Sequence, residues 1–161
     1  MKMVRVLWSL GVLGLMVSLK GWAALGGNDL QVPQEGFPLT SYVPAHAASA
    51  SPPGGIRQQS VETLQHVIVT EYSSHGTVFA LTWSGPTLPD SNIFLGSYFP
   101  QYQQSLQNLH LRPGSYRTPI ALHTPALVVH ASGHMGAYQG SAYAPALLPA
   151  GLDLSLLGVA P

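Results

Sequence analysis

Two runs rich in β-branched residues, "ETLQHVIVTEY" from Glu62 to Tyr72 and "TVFALTW" from Thr77 to Trp83, are separated only by "SSHG". Val, Ile, Thr, Phe and Trp suit a pleated backbone, and the Ser/Gly-containing break supplies turn chemistry, so the pair predicts a β-hairpin. An even-length loop sets Tyr72 opposite Thr77, Thr70 opposite Phe79, Ile68 opposite Leu81 and His66 opposite Trp83. Side chains alternate between faces, so Phe79, Leu81 and Trp83 join Ile68 and Tyr72, while Val67, Val69, Val78 and Ala80 collect on the other side. Sheets with one wet face alternate apolar and polar residues; this hairpin is apolar on both faces and needs cover from its own chain or from another. The surface expected for a partner is Val67, Val69, Val78 and Ala80, with Tyr138 and Tyr143 as weaker members.

A helix follows. Asp90 stands where an N-cap carboxylate accepts from the first free amides. At about 100° per residue, Phe94, Leu95, Tyr98, Phe99, Tyr102, Leu106 and Leu109 fall in one sector, with Gln101, Gln103, Gln104, Gln107 and Asn108 outside it. Pro100 lies on the polar side, where it removes an amide donor and crowds Gly96; it predicts a kink convex toward solvent, or a break into two short helices. Pro113 and Gly114 end the element. Ala126 to His130 then reads as a buried strand, Ser132-Gly133 as a tight turn and His134 to Tyr143 as the returning strand. Hairpin, helix, hairpin predicts an α+β fold: an antiparallel sheet of about four strands with one kinked amphipathic helix on one face.

The chain ends frame this unit. Lys2 and Arg5 precede an apolar run from Val6 to Leu19, and small residues follow at Gly21 and Ala23. That run is shorter than the ~18 residues that cross a bilayer, so residues 1–23 read as a secretory signal peptide cut between Ala23 and Ala24, leaving no stable membrane span. Residues 24–60, dominated by Gly, Pro, Ala and Ser without apolar periodicity, are expected to form a mobile lead-in, and residues 61–157 a single domain.

Charge and composition exclude much chemistry. The leader carries Lys2, Arg5 and Lys20, leaving Arg57, Arg112 and Arg117 against six carboxylates, a net charge of −3 with neutral histidines. Nucleic acid, which needs clustered cations to displace counterions, is therefore not an expected partner. The chain has no cysteine, which removes disulfides, thiol nucleophiles and thiolate metal ligands. "YQGSAYA" lacks a nucleophile elbow, and "SGP" and "PPGG" lack the frame of a phosphate-binding loop. Glu62, Glu71 and Asp90 are the acids of the sheet-helix region, with Glu71 expected at an edge or in solvent and Asp90 as a cap. Seven histidines remain, of which His66, His130 and His134 are the candidates for a metal-dependent or hydrolytic centre; no metal site and no cofactor are expected.

"VTEYSSHGTVFALTWSGPTLPDSNIFLGSYFPQY" and "GHMGAYQGSAYAPALLPAGL" resemble a family of small secreted bacterial proteins, the domain of unknown function 2844. "VFALTWSGPTLPD", "LGSYF", "GHM" and "LLPAG" carry the likeness over most of Val61 to Leu152, and Pro100 departs from the family pattern. The resemblance implies export from a Gram-negative cell to the periplasm or beyond and assigns no activity. The expectation is an exported noncatalytic accessory protein that binds another envelope protein or an extracellular polymer. A periplasmic hydrolase or metal enzyme built on the histidines, and a self-assembling cell-surface component, are the alternatives.

Overall fold

The computed structural model describes residues 24–30, 36–39, 55–111 and 119–160. Its strands are β1 (Phe37–Pro38), β2 (Ile56–Glu62), β3 (Ile68–Ser74), β4 (Thr77–Gly85), β5 (Ile120–His123), β6 (Val128–His134) and β7 (Ala137–Tyr143). They form one sheet in the order β1-β2-β3-β4-β7-β6-β5, with every neighbouring pair antiparallel. The sheet is thus larger than the four strands expected. β1 and β2 come from the segment read as a lead-in, and β5 from the loop ahead of β6. The expected leader, residues 1–23, lies outside the described residues, as do the helix-ending Pro113 and Gly114.

Both hairpins form, with different registers from those expected. His75 and Gly76, at φ 52° and 83°, make the two-residue turn of the first, the left-handed backbone that matches strand twist. Ser74 therefore pairs with Thr77 and Ser73 with Val78, but Tyr72 then pairs with Ala80, leaving Phe79 as an extra residue in a β-bulge. One inserted residue inverts the alternation. Leu81 and Trp83 consequently share a face with Val67, Val69 and Val78, whereas Phe79 and Ala80 join Tyr72 on the other. Trp83 pairs with Val69, and His66 stands in the preceding turn. In the second hairpin the turn is Met135-Gly136, so β6 continues through Ser132 and Gly133 to His134.

The helical segment breaks in two. α1 (Ser91–Leu95) starts at Asp90, whose carboxylate accepts from the Asn92 amide at 2.9 Å. A single 3-10 turn, Gly96–Tyr98, separates it from α2 (Phe99–Asn108), in which Pro100 occupies the first turn. There its missing amide has no helical partner to lose. Phe94, Leu95, Tyr102 and Leu106 pack on Val69, Leu81, Trp83 and Val129 to form the larger core.

Each face of the sheet also receives one end of the described chain. On the helix side, Leu25 is 1% exposed, its amide donates to the Phe94 carbonyl at 3.0 Å, and the Gly26 amide donates to Val78. Buried Asp29 accepts from the Ser73 hydroxyl at 2.9 Å and meets Arg57 at 3.5 Å. Residues 24–30, β1 and β2 are therefore part of the packed fold; they fall within the span 24–60 expected as a mobile lead-in, of which residues 31–35 and 40–54 lie outside the described residues. On the opposite side, Leu154, Leu157 and Val159 of the C-terminal tail cover Tyr72, Phe79, Ala80, Val128 and Tyr143. The Tyr72 hydroxyl donates to the Leu157 carbonyl at 2.9 Å and ties tail to sheet. No helix among the described residues is long and apolar enough to cross a membrane.

Candidate functional site

The tail covers only part of its face. Beyond it the strands open into a groove of about 880 Å³, with Ser155, Gly158 and Ala160 of the tail on one side and Pro119 and Ala121 at the β5 end. Strand register explains its chemistry. Thr70, Thr82, Ser141 and His130 are successive cross-strand partners on β3, β4, β7 and β6, and Ser84, Gln139 and Ser132 form a second row on β4, β7 and β6. The apolar row beside the first, Tyr72, Ala80, Tyr143 and Val128, is the one the tail buries. The same sheet face thus gains hydroxyl and amide side chains along the strands, beside Ile68, Pro119 and Ala121, and this part stays open.

Some of these groups are spent within the protein. Thr70 and Ser60 share a buried hydroxyl–hydroxyl hydrogen bond of 2.8 Å, and the Ala160 amide donates to the Ser141 hydroxyl at 3.2 Å. Among the described residues, the side chains of Thr82, Ser84, Ser132 and Gln139 make no hydrogen bond to the protein. Among the described residues that line the groove there is no lysine, arginine or carboxylate. One charged residue shapes its wall from outside: the Asp153 carboxylate accepts from the Ser155 hydroxyl at 2.6 Å and the Ser155 amide at 2.9 Å. Those two bonds hold its pKa below the ordinary carboxylate value.

The residues expected to meet a partner are elsewhere. Val67, Val69 and Val78 are fully buried in the helix-side core, Ala80 and Tyr143 are buried under the tail, and Tyr138 is half-buried against the helix-side core. That surface is internal, because the chain covers both faces of its own hairpin. Glu71, expected at an edge or in solvent, is 1% exposed on the helix side, since β2 and β4 flank β3 on both sides and place it mid-sheet.

Nor do the three candidate histidines converge. His66 is exposed in the β2–β3 turn at φ 59°, with Nδ1 2.7 Å from the Glu62 carboxylate. His134 is exposed at the end of β6, beside Met135. His130 sits mid-strand in the groove and packs edge-on against His123, with ring centroids 4.8 Å apart. Among the described residues, no three histidines or carboxylates are placed to hold a metal ion.

The family pattern described as "Protein of unknown function (DUF2844)" matches residues 22–157. The chain belongs to the DUF2844 family. No curated protein and no solved structure matches it. The DUF2844 match includes β1, β2 and residues 24–30, which agrees with their place in the packed fold. The groove residues, not among the expected site residues, have a signal in the sequence. Thr82 and Ser84 alternate with Leu81 and Trp83, and Gln139 and Ser141 with Tyr138 and Ala142.

Proposed function

We propose that this DUF2844 member is an exported, noncatalytic binding protein of the bacterial cell envelope, and that the sheet groove holds its ligand. The observation that carries this is the open polar half of an otherwise covered sheet face: unspent hydroxyl and amide groups of Thr82, Ser84, Ser132 and Gln139 line a concavity of about 880 Å³. Concave sites with a few convergent polar groups are where proteins hold ligands. The positively charged, apolar and small-residue sequence at the start of the chain supports export.

The test compares the full chain, purified after export, with its Thr82→Trp variant as bait for solubilised envelope material. Thr82→Trp fills the groove floor; Gln139→Ala, at an exposed position, removes a contact without disturbing packing. Material retained by the wild type and lost from both variants supports the proposal. Equal retention by all three, with circular dichroism showing all three folded, overturns it.

A further inference from the structure

We infer that the leader has to be removed before the fold is complete, because the first residues left by the cut are packed parts of the domain and close the cleavage site once they dock. The inference rests on the export reading and on its cut between Ala23 and Ala24. Hydrolysis there adds one water across the peptide bond, leaving a carboxylate on Ala23 and an amino group on Ala24. The peptidase must hold residues on both sides of that bond in its own cleft. Residues bonded elsewhere reach it only when the docked segment opens, so the rate follows the open population.

The side of the bond that stays with the protein is held from its first residue. Ala24 is 4% exposed and Leu25 1% exposed, and Leu25 belongs to the helix-side core with Val78, Phe94 and Leu95. The Leu25 amide donates to the Phe94 carbonyl at 3.0 Å, the Gly26 amide to the Val78 carbonyl at 2.8 Å, and the Val78 amide to the Gly27 carbonyl at 3.0 Å. The break between α1 and α2 is shaped to this segment. A Cβ on Gly96, which has φ 50°, would stand 2.5 Å from the Ala24 Cβ, and one on Gly26 would stand 3.0 Å from the Tyr98 ring. Further along, the Asp29 carboxylate is pinned by Ser73. Opening the site therefore means drawing Leu25 out of the core and breaking those three backbone hydrogen bonds, with no spacer between the bond to be cut and the first packed residue.

The test gives a purified bacterial signal peptidase, in mild detergent, two substrates: the uncut full chain after refolding, and a peptide of residues 1–30 that carries the same bond with no domain to dock on. Mass spectrometry follows release at Ala24. Cutting of the refolded chain slower than the peptide by at least about tenfold is the expected result. Gly96→Ala, which leaves the cleavage sequence intact, and Leu25→Ser, compared with its own Leu25→Ser peptide, should each narrow that ratio by at least about threefold. Circular dichroism confirms that a variant is folded, and one folded variant suffices. Equal rates for chain and peptide overturn the inference and leave the export reading standing, as does a ratio that neither folded variant changes. A peptide left uncut between Ala23 and Ala24 sinks both.

Discussion

At Gly140 the sheet leaves no room for a side chain, and Gly140→Ala makes that quantitative. It pairs with Trp83 across β4 and β7, and an added Cβ would fall within the indole, 2.5 Å from Cε2, and 2.5 Å from the His130 carbonyl oxygen. Carbon atoms rest at ~3.5–4.0 Å, so about 1 Å of movement is needed from the ring or from a central strand. Neither gives freely: Trp83 is 7% exposed, and His130 is held in pairs on both sides by β5 and β7. Adding one methyl to a well-packed core costs about 1–3 kcal/mol, and backbone resistance puts this case in the upper half, about 2–3 kcal/mol. At roughly 3 °C per kcal/mol, the melting temperature falls by roughly 6–9 °C. Trp8 and Trp22 precede Ala24, so in a chain processed there Trp83 alone reports by fluorescence at the point of insertion. Urea unfolding followed by that emission and by circular dichroism measures the loss. A change below about 0.5 kcal/mol, within the range of ordinary surface substitutions, would refute the packing argument.

Two other perturbations follow from local geometry. Pro100→Ala should alter stability by less than about 1 kcal/mol in thermal unfolding, because proline is tolerated in a first helical turn; a gain near 3 kcal/mol would instead mark an interior helical position. The lowered pKa of Asp153 means that its contribution is present above the ordinary value of 3.8 and is lost as pH falls through the depressed folded value. The stability difference between wild type and Asp153→Asn should therefore be constant near neutrality and shrink below pH 3.8, as read by urea midpoints across the acid range.

The hairpins, the Asp90 cap and the apolar faces of α1 and α2 were legible because each follows from local residue pattern. The face assignment was not, since it depended on one extra residue: nothing in "TVFALTW" announces that Phe79 is unpaired, yet that bulge decides which side Leu81 and Trp83 occupy. β2 was hidden for another reason. "IRQQSVE" lacks clear alternation, and it becomes a strand by pairing along all of β3. The groove was obscured by the same dependence on register. Thr82, Ser141 and His130 are distant in sequence and become a row only once β4 and β6 both flank β7.

The pairing of β2 with β3 also sets where this protein can safely be shortened. A chain begun at Val61 keeps every residue that suggested the hairpin, yet discards β1, most of β2 and the Asp29 anchor. β3 would then offer a naked hydrogen-bonding margin seven residues long, Ile68–Ser74, to any neighbouring molecule. Clumping of such a fragment would be an artefact of amputation, easily mistaken for the self-assembly of a surface component.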